Sequence, residues 1–321
     1  MRRLAVAAVV LGLASGTASA ADKVSLRLPW IYNVQAAAYI MAFEHGIYRD
    51  AGLDVEIRPG GPQINPNQLV ATGQDTFGSN DYPNLIQGRA RGMPLMVVAA
   101  CWQAYPGGIY ALEKSNIRTP RDLIGKKIAY DEGGPWTMVK AMLAKAGVGL
   151  NQVTAISTSG NEVLMSGAVD ARTGFVINGP ISIEQAGMKT TSMKVADYGI
   201  NAAAEAIFTT EAYAHDHPDV VRRFVAATIE GYRYAYAHRD ETLAVILKNN
   251  PQLKEEQQRQ QLDRQAPLIF TARAEKEGLC SFSGEDIAQT ADVLREFGGF
   301  KDTVDIKAMY STDFLPKKVG G

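Results

Sequence analysis

The stretch Val24, Ser25, Leu26, Arg27, Leu28 alternates apolar and polar side chains with a period of two, which predicts a half-buried strand. Residues 35–48 then carry an apolar stripe at helical spacing, and 53–57 alternate again. A rigid, turn-prone loop follows at Arg58, Pro59, Gly60, Gly61 and Pro62. A short helix over 67–72, a strand over 75–78, a helix over 82–91 and a buried strand over 95–100 continue the alternation. That order predicts an α/β fold with a largely parallel sheet covered by helices on both faces.

From Thr119 the unit restarts. Residues 127–130 read as a strand, Gly133, Gly134 and Pro135 as a turn, and 136–146 as a helix with Pro135 where a first helical residue belongs. Further strands are expected over 153–156, 173–177 and 193–196, alternating with helices near Glu162 and Ile183. Beyond Ile207 the pattern turns helical, with helices over 218–236, 240–248, 255–264 and 284–297. No solenoid-length repeat or low-complexity tract interrupts it. The reading is two α/β lobes, one inserted into the other: 21–111 with 207–321 as lobe 1, 112–206 as lobe 2, and chain crossings near Ala111 and Ile207. A hinged cleft between the lobes is the expected ligand site.

The first twenty residues stand apart. Met1, Arg2 and Arg3 precede an apolar run from Leu4 to Leu13, and small residues end at Ala18, Ser19 and Ala20. This is the order of a secretory signal peptide cleaved after Ala20, and roughly a dozen apolar residues fall short of the ~20 that span a bilayer. The expected product is a soluble, exported, monomeric protein.

Composition narrows the function. The 321 residues are 46% apolar and 21% charged, which is ordinary for a folded chain. Lys+Arg total 33 against Asp+Glu 34, and losing Arg2 and Arg3 leaves a charge of about −3, so no basic surface recommends nucleic acid as a partner. Two cysteines, Cys101 and Cys280, permit one disulfide in an exported chain, and two buried free thiols are an equal reading. Phosphate-loop, GxSxG, HExxH and GxGxxG motifs are absent, so no catalytic residue, metal or cofactor is called for. His215 and His217 read as a solvated helix start, and His45 and His238 as residues at helix ends.

The candidate site rests on aromatics and amides at element ends. Trp30, Trp102 and Trp136 each fall at a strand end or helix start, with Asn33, Asn80, Asp81, Gln103 and Asn178 in similar positions. Indole faces stack on planar rings, while amides and a carboxylate satisfy ring-edge donors and acceptors. A planar heterocycle is the ligand class this combination suits. The turn at Gly134, Trp136 and Thr137 is expected to contact the other lobe, and its free N–H groups leave a small oxyanion as the rival ligand.

Five segments carry a family likeness: Trp30 to Asn33, 46–57 (GIYRDAGLDVEI), 117–128 (IRTPRDLIGKKI), 218–224 (PDVVRRF) and 310–316 (YSTDFLP). They resemble the substrate-binding proteins of ABC importers in the nitrate/sulfonate/taurine and thiamine-pyrimidine-precursor superfamily. The resemblance implies a two-lobed type II periplasmic binding protein fold, a periplasmic location, a membrane permease as partner, and transport instead of catalysis. The run Val176, Ile177, Asn178, Gly179, Pro180 is similar to the Asn-Glu-Pro region of the pyrimidine-binding branch, with Gly179 where that branch has a ligand-contacting glutamate. Ala36 stands where the branch has a histidine. Those departures, with the missing cysteine-rich motif, argue against the related pyrimidine synthase and leave room for a flavin or another heterocycle.

Overall fold

The computed structural model describes residues 20–297 and 300–317; the signal-peptide reading falls on residues 1–19, outside them. Two five-stranded sheets organise the chain, in the orders β2-β1-β3-β10-β4 and β7-β6-β8-β5-β9. The first receives β1 (Asp22–Arg27), β2 (Leu53–Arg58), β3 (Phe77–Asn80) and β4 (Leu95–Trp102). Helices α1 (Ala37–Glu44), α2 (Ile47–Asp50), α3 (Pro66–Ala71) and α4 (Tyr82–Ala90) connect them. The second sheet holds β5 (Gly107–Leu112), β6 (Lys127–Tyr130), β7 (Thr154–Ser157), β8 (Ala171–Phe175) and β9 (Thr190–Lys194). Its helices are α5 (Gly134–Lys145), α6 (Glu162–Met165) and α7 (Gly179–Gln185). The chain returns through β10 (Ala204–Thr210) and ends in α8 (Glu211–Asp216), α9 (Pro218–Ala237), α10 (Arg239–Asn249), α11 (Glu255–Ile269), α12 (Ala272–Glu277) and α13 (Gly284–Glu296).

Three expectations are corrected. The sheets are mixed, not largely parallel: β1 pairs in parallel with β2 and β3, and β6 with β7 and β8, but β10 and β5 run antiparallel to their neighbours on both sides. Those two strands are also the ones the pattern left unassigned. The chain changes sheet between Trp102 and Gly107 and again between Lys194 and Ala204, so Ala111 and Ile207 lie inside β5 and β10, not at the crossings. The stripe over 35–48 is not one helix: a 3-10 turn at Val34–Ala36 precedes α1, and Gly46, at φ 69°, separates α1 from α2.

Packing explains the lobe-1 architecture. The long helix α9 turns an apolar face onto α1, and Gly231 lets their backbones touch: a Cβ there would lie 2.3 Å from the Ala38 carbonyl oxygen. Tyr48, Phe224 and Phe77 stack in sequence with ring centroids 5.3 and 4.0 Å apart and near-parallel planes. The exposed backbone of edge strand β4 is covered where Ser311 donates to the Val97 carbonyl at 3.0 Å and the Cys280 carbonyl accepts from Ala100 at 3.0 Å, one way of blunting a sheet edge. Cys101 and Cys280 form a disulfide, so the whole of lobe 2 lies within a loop of 179 residues closed at the base of lobe 1.

Candidate functional site

The C-terminal ends of β1 and β3 and the N-terminal end of antiparallel β10 lie along one edge of the first sheet, facing the crossings to the second. That topology sets three groups side by side: the loop after β1 with Trp30, Asn33 and Gln35; Ser79, Asn80 and Asp81 at the end of β3; and Glu205 at the start of β10. Trp30 is the open one, 38% exposed. Its loop is fixed from behind by α11, where the Gln258 Oε1 accepts from the Val34 N–H at 3.1 Å and the Gln265 Nε2 donates to the Val34 carbonyl at 2.7 Å. Asn33 caps the 3-10 turn by accepting from the Gln35 N–H at 2.8 Å.

Glu205 was not among the expected site residues. Its side chain is 3% exposed and accepts from Gln35 Nε2 at 2.5 Å and Ser79 Oγ at 2.7 Å. Among the described residues no cation pairs with it, and burial pushes its carboxyl up to about 7. Its backbone sits at φ 49°, a left-handed conformation that costs a non-glycine residue about 1–3 kcal/mol and gathers at functional sites. With Trp30, Ile31, Gln35 and Ala36 it borders a shallow surface depression. A lone charge inside the apolar run 202–208 was the signal that could have found it.

The other expected residues divide into wall, hinge and interlobe contact. Asn80 is committed to the protein, donating to Asn67 Oδ1 at 3.0 Å and accepting from the Asp81 N–H at 2.9 Å and Asn84 Nδ2 at 3.0 Å. Asp81 caps α4 through the Asn84 N–H at 3.1 Å and accepts from the Tyr105 hydroxyl at 3.0 Å; burial raises its carboxyl to about 6. The two lobes meet here: a Cβ on Gly134 would fall 1.9 Å from Asp81 Oδ2, so only glycine lets the start of α5 approach that carboxylate. One turn on, Thr137 Oγ1 accepts from Gln87 Nε2 across the gap at 3.5 Å. Gln103 belongs to the hinge, donating to the Ser281 carbonyl and hydroxyl oxygens at 2.9 Å each and accepting from the Thr271 hydroxyl.

The three tryptophans, expected at element ends around one cleft, differ in exposure. Trp102 is fully buried, with Phe175 of lobe 2 at 6.1 Å, and its indole N–H has no partner among the described residues. Trp136 is 5% exposed and stacks on Tyr130 at 4.5 Å, with Lys140 over the ring at 5.8 Å. Their faces are used by the protein because both close the ends of buried elements. Asn178 opens α7 without a side-chain cap bond. The next residue, Gly179, leaves no room for a larger side chain, since a Cβ would sit 2.6 Å from the Tyr110 ring. Of the histidines, His45 follows α1 with its Nε2 3.0 Å from Glu241 of α10, and His215 lies in the last turn of α8, not at a helix start, with its Nδ1 2.9 Å from Asp216.

Two mixed sheets joined by two crossings, with helix starts converging on the gap, define the periplasmic-binding-protein fold. The periplasmic aliphatic sulphonate binding protein SsuA of Escherichia coli superposes with a TM-score of 0.71 at 19% identity, over 94% of this chain and 94% of that one. The chain belongs to the NMT1/THI5-like family, whose model matches residues 33–242. Among curated relatives, the riboflavin-binding protein RibY of Chloroflexus aurantiacus is 24% identical over 304 residues, covering 92% of this chain and 86% of RibY. The formylaminopyrimidine-binding protein of Halalkalibacterium halodurans is 28% identical over 237 residues, covering 72% of this chain and 71% of that protein. No helix among the described residues is long and apolar enough to cross a membrane.

Proposed function

We propose that this chain is the exported solute receptor of an ABC importer, that it closes its lobes on a planar heterocycle, and that it delivers the ligand to a membrane permease without chemical change. The observation that carries the ligand class is the pair of buried carboxyls, Glu205 and Asp81, at the cleft end of the first sheet, with Glu205 beside the partly exposed Trp30. Neither has a cationic partner among the described residues. A nitrate or sulfonate entering there would find no cation among these groups to pair with, whereas a neutral ring edge can use the carboxyl donors and acceptors and stack on the indole. The names of two relatives, one for riboflavin and one for a formylaminopyrimidine, agree with a flat ring. Micromolar affinity requires about −8 kcal/mol, which stacking and several hydrogen bonds can supply after the cost of closure.

The test is tryptophan fluorescence of the mature protein titrated with riboflavin, 4-amino-2-methylpyrimidine and an alkanesulfonate. A heterocycle should quench the emission saturably, and Trp30→Ala should weaken that binding about 2–10-fold, the worth of one aromatic contact, with the unfolding midpoint unchanged because the ring is partly exposed. Saturable binding of the sulfonate alone would overturn the reading.

A further inference from the structure

Glu205 has more in its environment than a wall residue needs. A carboxyl offers about four acceptor positions, and two are taken, by Gln35 Nε2 and Ser79 Oγ. It borders the surface depression beside Trp30, Gln35 and Ala36, and its own backbone is held in a conformation that costs energy. We infer that Glu205 is the specificity-determining residue of the cleft, that it reads a ring edge presenting one hydrogen-bond donor beside one acceptor, and that it binds that edge in its protonated form. The inference rests on the heterocycle reading above and adds the edge chemistry and its proton dependence.

The complementarity is one of counting. A neutral carboxyl has one O–H donor and one carbonyl acceptor, which match an amino group next to a ring nitrogen, or a ring N–H next to a carbonyl. Both sources share this chemistry, the first in an aminopyrimidine and the second in a flavin. An ionised carboxylate can only accept, so it would face the ring acceptor with a second acceptor. Above the carboxyl's own titration range, the protein must therefore take up a proton when the ligand binds. Below it, no proton is exchanged by this group.

The groups around Glu205 leave that titration to it. From α1 comes Tyr39, and from α9 Tyr232 and Tyr236; burial raises all three phenols above their ordinary range. Asp81, at the start of α4, is the other carboxyl that acts on it, and its own range lies lower, at about 6. Gln35 and Ser79 do not ionise.

The experiment is calorimetric titration of the mature protein with 4-amino-2-methylpyrimidine and with riboflavin between pH 6 and pH 9, in buffers of differing ionisation enthalpy. For whichever ring binds, affinity should fall with a slope approaching tenfold per pH unit above about 7, with uptake approaching one proton. Glu205→Gln carries the donor and acceptor of the protonated acid permanently, so it should bind with wild-type affinity at pH 6 and lose the slope. Glu205→Leu should lose at least tenfold at pH 6, and comparison with Glu205→Gln, which keeps the partners of Gln35 and Ser79, separates lost recognition from lost stability. Binding of a heterocycle that is independent of pH, or that survives Glu205→Leu, overturns the inference and leaves the receptor reading standing. Failure of both rings to bind overturns the two together. Which ring binds tells an amino edge from a lactam edge.

Discussion

Glu205 shows how one side chain can be set against the stability of its own fold. Burial raises its carboxyl from 4.5 to about 7, so the folded chain holds a proton there that the unfolded chain has released between those values. Stability from this group is therefore lost as pH rises through that window, and Asp81, raised from 3.8 to about 6, acts in the same direction at lower pH. Glu205→Gln removes the cost of burying the charge. Without ligand at pH 8 it should be more stable than the wild type by up to about 3 kcal/mol, converting the shift at 1.36 kcal/mol per unit, and the difference should vanish near pH 4. Chemical unfolding of both proteins at the two pH values measures it; a variant less stable at pH 8 would mean that the carboxylate is stabilised where it lies. The residue was legible as a single charge in the run 202–208, but its depth was not. The same limit applies to Trp102: its place at the end of β4 was readable, whereas its full burial depends on Phe175, 73 positions away in the other lobe.

At the scale of elements, the local pattern located most helices and strands within a few residues and failed at β5 and β10. Both are nearly buried throughout, so neither alternates. Gly107 and Gly108 look like a turn, and the alanines at 202–204 favour no strand. These two strands follow directly on the crossings between sheets, and missing them displaced the crossings and hid the antiparallel pairing that sets Glu205 beside Ser79. Hydrophobic period reports a half-buried face, and a strand with no exposed face has no period to report. The Cys101–Cys280 bridge acts at the same scale, fastening β4 to the segment before α13 beside the hinge contacts of Gln103. Closing a loop of 179 residues is worth about 5 kcal/mol in the chain-entropy limit. Reduction with dithiothreitol should lower the unfolding midpoint by several degrees; an unchanged midpoint would mean that packing alone holds this edge.

The whole molecule is two sheets joined by two crossings, with contacts spanning the gap on both sides. Asp81 against Gly134 and Gln87 against Thr137 join α4 to α5, and Arg264 of α11 lies 2.8 Å from Glu184 of α7. The last is a partly exposed pair of small worth, so it biases closure weakly and leaves the ligand to decide it. A ligand shifts such an equilibrium only by its difference in affinity between the open and closed forms, and a ring held by Trp30 and Glu205 on one lobe gains that difference when the other lobe covers its free face. Family likeness over the chain told of two lobes and a cleft; the two buried carboxyls at the cleft end of the first sheet appeared only with the fold.

Small-angle scattering of the mature protein at pH 6.5 tests the central claim most directly, with riboflavin, 4-amino-2-methylpyrimidine and an alkanesulfonate each titrated to saturation. The account predicts a smaller radius of gyration with at least one heterocycle and none with the sulfonate. Contraction with the sulfonate and no change with either ring would contradict it.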